Sequence, residues 1–187
     1  ELSDGKLVSI LDVETILSQT FGEAPVGQIA ALERDVEANL FFVDDSAIAR
    51  KKIAEVLDKL GVRHKHALNG LEAWTRLDGM AAHAQQQKRK LSDEINMILV
   101  DAEMPEMDGF ILTKKIKSDR RFTGVPVLMH SSLSGMQNQY LGKSVGVDEY
   151  VPKFHPRELA ETLQRLFALM LVAVSLSLAA QKLLGGH

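Results

Sequence analysis

Short apolar runs recur along residues 38–167 and are separated by segments whose apolar positions follow a helical period. The runs at 40–43 and 95–100 are almost continuous, as expected of strands buried on both faces of a sheet. Three further segments have a strand pattern, at 62–67, 125–130 and 148–151. Buried strands that alternate with helices are typical of a parallel sheet with helices on both faces, so we predict an α/β fold.

The segments between these strands have helix patterns, and several carry residues that mark a helix end. Residues 46–61 begin with Ser46, a good N-cap, and stop at Gly61, with apolar residues along one face between them. The last helix begins at Pro156, where a missing N–H does no harm. Further helices are predicted at 69–90, interrupted at Gly79, and at 110–119 and 134–146.

Polar residues follow the predicted strands at the point where each strand ends. They are Asp44 and Asp45, Asp101, Ser131 and Ser132, and Lys153. The carboxyl ends of parallel strands meet at one edge of the sheet, so these side chains are expected to converge. Close carboxylates repel, and one would take up a proton unless a cation lay among them. Ligation by oxygen alone suits Mg²⁺.

A carboxylate in such a cluster can act as a nucleophile toward phosphorus, which makes Asp101 a candidate phosphoryl acceptor. Lys153 and a serine hydroxyl would hold the phosphoryl oxygens. Simpler roles remain open for each residue. Asp44 and Asp45 would also suit a helix N-terminus. Lys153 could be an ordinary surface lysine, and Ser131 could be a loop residue with a satisfied hydroxyl. Tyr150 could simply pack in the core with its hydroxyl in water.

Four motifs resemble those of the receiver domains of two-component signalling, in order over roughly residues 38–167. "FFVDDS" supplies the acid pair, and "LVDAEMPEMDG" supplies the phosphoacceptor Asp101. "PVLMHSS" supplies the hydroxyl switch residue Ser131. "DEYVPKF" supplies the aromatic switch residue Tyr150 and the phosphate-pairing Lys153.

The resemblance implies a five-stranded doubly wound sheet of strand order 2-1-3-4-5 with an extended C-terminal helix. It implies a Mg²⁺ site whose ligands are Asp44, Asp45, Asp101 and the backbone carbonyl of Glu103. It also implies a signalling protein rather than an enzyme, phosphorylated by a histidine kinase. The Glu103 side chain adds negative charge where hydrolytic water would approach, so we expect it to alter the rate of autodephosphorylation.

The N-terminal segment indicates which kind of receiver-containing protein the chain resembles. Residues 1–17 include "DGKLVSILDVETIL", which looks like the closing strand of a CheW-like coupling domain, and 18–37 reads as a linker with a short helix. The order coupling domain, linker, receiver resembles CheV-type chemotaxis adaptors, as does "YVPKFHPRELAETL". A chemotaxis histidine kinase and chemoreceptors are the partners that this resemblance implies.

Composition limits the class of protein. The net charge of −3 provides no field that would attract nucleic acid. The chain has no cysteine, which excludes disulfides and thiolate metal sites and fits the cytoplasm. Two alternatives stay open: a receiver that serves another output, and a Mg²⁺-dependent phosphohydrolase with an aspartyl nucleophile.

Residues 168–187 form an apolar extension of the last helix. No charged residue occurs at 166–181, but this stretch is shorter than the roughly 20 residues of a spanning helix, so no membrane span is expected. A helix that is apolar all round implies a partner surface in water. We predict either self-association through residues 166–184, which would give a homodimer, or docking of the segment 7–11.

Overall fold

The computed structural model describes residues 31–32, 38–132, 136–153 and 155–184. The predicted coupling-domain remnant at 1–17 lies outside these residues, as does nearly all of the predicted linker at 18–37. The domain boundaries at 17, 37 and 167 therefore stay predictions.

The described chain forms five strands and five α-helices in alternation. The strands are β1 (Asn39–Val43), β2 (Arg63–Ala67), β3 (Met97–Asp101), β4 (Val127–Ser131) and β5 (Glu149–Pro152). The helices are α1 (Ala47–Leu60), α2 (Gly70–Gln86), α3 (Gly109–Ser118), α4 (Met136–Val145) and α5 (Pro156–Leu184). Two short 3₁₀ helices precede β3 and β4, at Leu91–Asp93 and Arg120–Phe122.

All strand pairs are parallel, and the order across the sheet is β2-β1-β3-β4-β5. This confirms the predicted fold class and strand order. Alternate side chains of each strand enter the two halves of the core. Phe42 and Leu99 face α1 and α5, whereas Phe41 and Ile98 face α2 and α3.

The helix ends follow local chemistry. The Ser46 side chain accepts a hydrogen bond from the amide of Ala49 at the start of α1. Gly61 ends this helix with φ 74°, in the left-handed region that glycine enters without a steric penalty. The predicted interruption at Gly79 is wrong, because α2 continues through it to Gln86. A single helical glycine costs only about 1 kcal/mol, and the buried face of α2 offsets it.

Helix α5 is much longer than any strand of the sheet. Its 29 residues extend about 43 Å at 1.5 Å per residue. Leu159, Leu163 and Phe167 pack into the core, and the partly buried Leu166 and Met170 pack against that cluster. Within the described residues, no helix combines the length and the apolarity needed to span a membrane.

Candidate functional site

The carboxyl edge of the sheet brings the predicted site residues together. Asp44 and Asp45 follow β1, Asp101 ends β3 and Ser131 ends β4, on three neighbouring strands. The backbone amide of Lys153 donates a hydrogen bond to the Ser131 carbonyl at 2.9 Å, which fixes the residue after β5 beside the end of β4.

Two buried carboxylates share one buried ammonium group. Lys153 Nζ lies 2.9 Å from Asp101 Oδ2 and 3.4 Å from Asp44 Oδ2. Asp44 and Asp101 have no accessible surface, and Lys153 is 3% exposed. Asp45 is exposed at the rim, and one carboxylate oxygen from each of the three aspartates lies within 4.8 Å of the others.

This arrangement changes the acidity of Asp101. Burial, followed by the charge of Asp44, raises the pKa of Asp101 to about 7. The charge of Lys153 and its hydrogen bond oppose this rise, as does the backbone hydrogen bond from Glu103. The effect of burial on the pKa of Asp101 outweighs the effect of Lys153, because a single cation cannot balance two desolvated carboxylates.

The loop after β1 holds Asp44 and Asp45 through backbone contacts. The amide of Ser46 donates to Asp44 Oδ1 at 2.9 Å. Arg50, one turn into α1, donates from Nη1 to the carbonyls of Asp44 at 2.9 Å and Asp45 at 2.8 Å. Sequence reasoning missed Arg50, because an arginine in a helix is usually a solvated residue.

The loop after β3 fixes the other side of the cluster. The amide of Glu103 donates to Asp101 Oδ1 at 3.1 Å. Its carboxylate accepts a hydrogen bond from the hydroxyl of Ser132 at 3.0 Å, so the loops after β3 and β4 are tied together beside the site. A side chain at Gly109 would place a Cβ 2.0 Å from the carbonyl oxygen of Asp101, so only glycine lets α3 start this close to β3. The role of the Glu103 carbonyl as a metal ligand stays a prediction.

The two predicted switch residues are in contact. Ser131 is fully buried and Tyr150 is half-buried. Burial raises the pKa of the Tyr150 hydroxyl, and its hydrogen bond with Ser131 opposes this rise. Any displacement of the Ser131 hydroxyl must therefore change the surroundings of Tyr150.

A second residue at this edge was not predicted. His130, the residue before Ser131 on β4, is 6% exposed, and its Nδ1 lies 3.8 Å from Asp44 Oδ2. A histidine in an otherwise apolar strand was the one signal that could have indicated this contact.

The cluster fits a divalent cation. Asp44 Oδ2 is buried and makes no hydrogen bond, with Lys153 Nζ 3.4 Å away, and the charge of Asp44 contributes to the raised pKa of Asp101. A cation would stabilise both carboxylates, and ligation by oxygen atoms alone suits Mg²⁺. Asp44, Asp45 and Asp101 are the residues that would hold it.

The whole arrangement matches a known family. Residues 40–164 match the family model described as the response regulator receiver domain.

Curated relatives and solved structures agree with this match. The chain is 28% identical to chemotaxis protein CheV1 of Helicobacter pylori over 89% of this chain and 50% of that protein, so it spans about half of that relative's length. It is 34% identical to chemotaxis protein CheY1 of the same species, over 67% of this chain and 93% of that protein. Among solved structures, the receiver domain of the Arabidopsis thaliana histidine kinase CKI1 complexed with Mg²⁺ and BeF₃⁻ aligns with a TM-score of 0.62 at 26% identity. That alignment covers 70% of this chain and 90% of the other.

Proposed function

The chain belongs to the response regulator receiver domain family, and on this premise we propose that Asp101 accepts a phosphoryl group from a histidine kinase. The observation that carries the proposal is the meeting of Asp44, Asp101 and Lys153 within one buried cluster. A buried carboxylate beside a lysine and a further carboxylate is placed for covalent chemistry at phosphorus.

In the proposed step, a carboxylate oxygen of Asp101 attacks the phosphorus of a phosphohistidine on the kinase. The new O–P bond forms as the N–P bond breaks, and the imidazole leaves with the bonding electrons. Lys153 Nζ, now 2.9 Å from Asp101 Oδ2, would follow the transferred group and pair with one of its oxygens. Mg²⁺ held by Asp44, Asp45 and Asp101 would neutralise charge on the phosphoryl oxygens.

The outcome of phosphorylation would pass through Ser131 and Tyr150. The Ser131 hydroxyl would turn toward the phosphoryl group, and Tyr150 would move into the space that it leaves. The contact between the two residues supports this coupling. The surface formed by α4, β5 and α5 would then change between two populated shapes, and a partner that prefers one of them would shift the equilibrium.

We further propose that the chain is the receiver part of a CheV-type adaptor in the cytoplasm. In support, the match to CheV1 covers 89% of the chain, whereas the receiver model matches residues 40–164 alone. Residues 1–17 would then end a CheW-like domain, 18–37 would be the linker, and 38–167 the receiver. The phosphoryl donor would be a chemotaxis histidine kinase, and the coupling domain of the full-length protein would bind chemoreceptors.

The phosphorylation proposal is tested by incubating the chain with acetyl phosphate and Mg²⁺ and measuring the intact mass. We expect a gain of one phosphate, lost on removal of Mg²⁺ and absent in Asp101→Asn. Asp108→Asn is a matched control, because Asn can replace Asp108 as the N-cap of α3. A gain that persists in Asp101→Asn would overturn the assignment, and repeated turnover of a phosphomonoester would favour a phosphohydrolase.

Replacing Glu103 by alanine is expected to shorten the lifetime of the phosphorylated form about three- to tenfold, roughly 1 kcal/mol in activation free energy. Glu103 adds charge and bulk beside the site and is held there by Ser132. The measurement is the decay of the phosphorylated mass after the donor is removed.

Two variants separate the effect of the Glu103 charge from the effect of its hydrogen bond with Ser132. Glu103→Gln removes the charge and keeps an acceptor for Ser132, whereas Ser132→Ala keeps the charge and removes the tie. If charge governs the rate, Glu103→Gln decays like Glu103→Ala and Ser132→Ala decays like the wild type. An unchanged decay in Glu103→Ala contradicts the hypothesis.

A further inference from the structure

On the side away from the core, helix α5 carries a row of aliphatic side chains that are more than half exposed in the described part of the chain. Leu169, Val172 and Leu176 are 57%, 57% and 65% exposed. Large aliphatic side chains this exposed are common singly, but a continuous row of them on one helix indicates an interaction surface.

This face lies on the side of the helix that is turned away from the core. Val172 follows the buried Leu163 by nine residues, and Leu176 follows the buried Phe167 by the same interval, about two and a half turns at 3.6 residues per turn. Among the described residues, packing of α5 on the core leaves this face more than half exposed, so its apolar character needs another explanation.

The spacing of the row is that of a helix–helix seam. Leu169, Val172 and Leu176 stand at i, i+3 and i+7, the a and d positions of a heptad. In the sequence the next two seam positions, 179 and 183, carry alanine and leucine. The backbone stays helical to Leu184, so the seam continues for two heptads.

The seam also extends beyond the domain. Leu166 and Met170 pack against the core, and the helical backbone continues for about 20 Å beyond Met170 at 1.5 Å per residue. Residues 166–181 include no charged side chain that would favour exposure of this stretch to water.

We propose that this face binds the same face of a second copy of the chain, as a two-helix coiled coil with two-fold symmetry. A two-fold interface places a surface patch against itself, so the patch must be self-complementary. An uncharged a/d seam meets this condition, since no like charges are brought together. The proposal does not depend on phosphorylation and would stand if Asp101 were not the acceptor.

The test is the molar mass of the full chain in solution, by light scattering at tens of micromolar, with three variants. We expect a dimer for the wild type and a monomer for Val172→Glu/Leu176→Glu. Leu171→Glu lies on the same helix outside the seam, and Ile111→Glu lies on α3; both residues are exposed, at 39% and 50%. Both controls should remain dimeric, and unchanged thermal unfolding at low concentration shows that each variant is folded.

Three outcomes would overturn the proposal. The first is a monomeric wild type, which would favour coverage of the face by the N-terminal segment of the same chain. The second is a Val172→Glu/Leu176→Glu variant that remains dimeric. The third is dissociation by Leu171→Glu to the same extent, which would mean non-specific apolar association. Since the chain has no cysteine, a single Leu176→Cys variant adds a positive readout: a disulfide-linked dimer in mild oxidant.

Discussion

The domain in which Asp101 is replaced by asparagine is expected to be more stable than the wild type at pH 8, by roughly 2–4 kcal/mol in the free energy of unfolding. The carboxylate of Asp101 is fully buried beside Asp44, and burial with that neighbouring charge raises its pKa to about 7. Asparagine keeps the shape of the side chain and removes the charge, so the cost of burying a second carboxylate disappears.

The pH dependence gives the sign of the effect. In the folded state Asp101 holds its proton up to about pH 7, whereas in the unfolded chain it loses it near pH 3.8. The wild type is therefore stabilised by proton binding at low pH and loses this stabilisation as the pH rises from about 4 to 7. The gain in the free energy of unfolding from Asp101→Asn should be complete above pH 7 and should disappear as the pH falls toward 4.

Thermal or urea unfolding of both proteins at several pH values measures this difference. Mg²⁺ should raise the stability of the wild type by mass action and have much less effect on Asp101→Asn. A variant that is less stable than the wild type at pH 8, or an advantage that is constant with pH, would contradict the electrostatic account of the cluster.

Much of the fold could be predicted from sequence because its signals are local. The apolar runs at 40–43 and 95–100 mark strands that are buried on both faces, and the structure places β1 and β3 there. Ser46 and Gly61 mark the ends of α1 through hydrogen bonds within a few residues. Strand alternation and the parallel sheet then bring the strand ends to one edge.

The details of the site depend on contacts between distant segments and left little trace in the sequence. Arg50 binds the carbonyls of Asp44 and Asp45, and its side chain could equally have faced solvent. The glycine at 109 is needed because α3 starts against the Asp101 carbonyl, a distance that no local pattern specifies. His130 on β4 reaches Asp44 after β1 across the intervening strand β3, and this contact depends on the strand order, which no local pattern specifies.

The position of Lys153 could be predicted from sequence, but its almost complete burial could not, and burial gives the second large effect. Replacing Lys153 by methionine is expected to lower the free energy of unfolding at pH 8 by about 3 kcal/mol or more. Methionine retains most of the apolar stem, so the loss comes from the charge. Without the ammonium group, Asp44 and Asp101 remain buried with no cation between them.

A comparison with a second ion pair isolates burial as the cause. Lys117 pairs with Asp148, and their side chains are 26% and 44% exposed. Because water screens that pair, Lys117→Met should cost less than about 1 kcal/mol. Equal losses from the two lysine substitutions would mean that burial of the cluster contributes little.

The two charge changes in the cluster should have opposite signs and should not be additive. Asp101→Asn removes one of two buried carboxylates and Lys153→Met removes their shared cation, so each alters the cost of the other. In the Asp101→Asn background one buried carboxylate is left beside the lysine, and Lys153→Met should then cost clearly less than it does in the wild type. Urea unfolding of the four proteins at pH 8 gives the coupling free energy, expected to lie between about 0.5 and 3 kcal/mol for groups in one network. A coupling near zero would mean that Lys153 and Asp101 do not interact in solution, and the charge arrangement on which phosphoryl transfer depends would be absent.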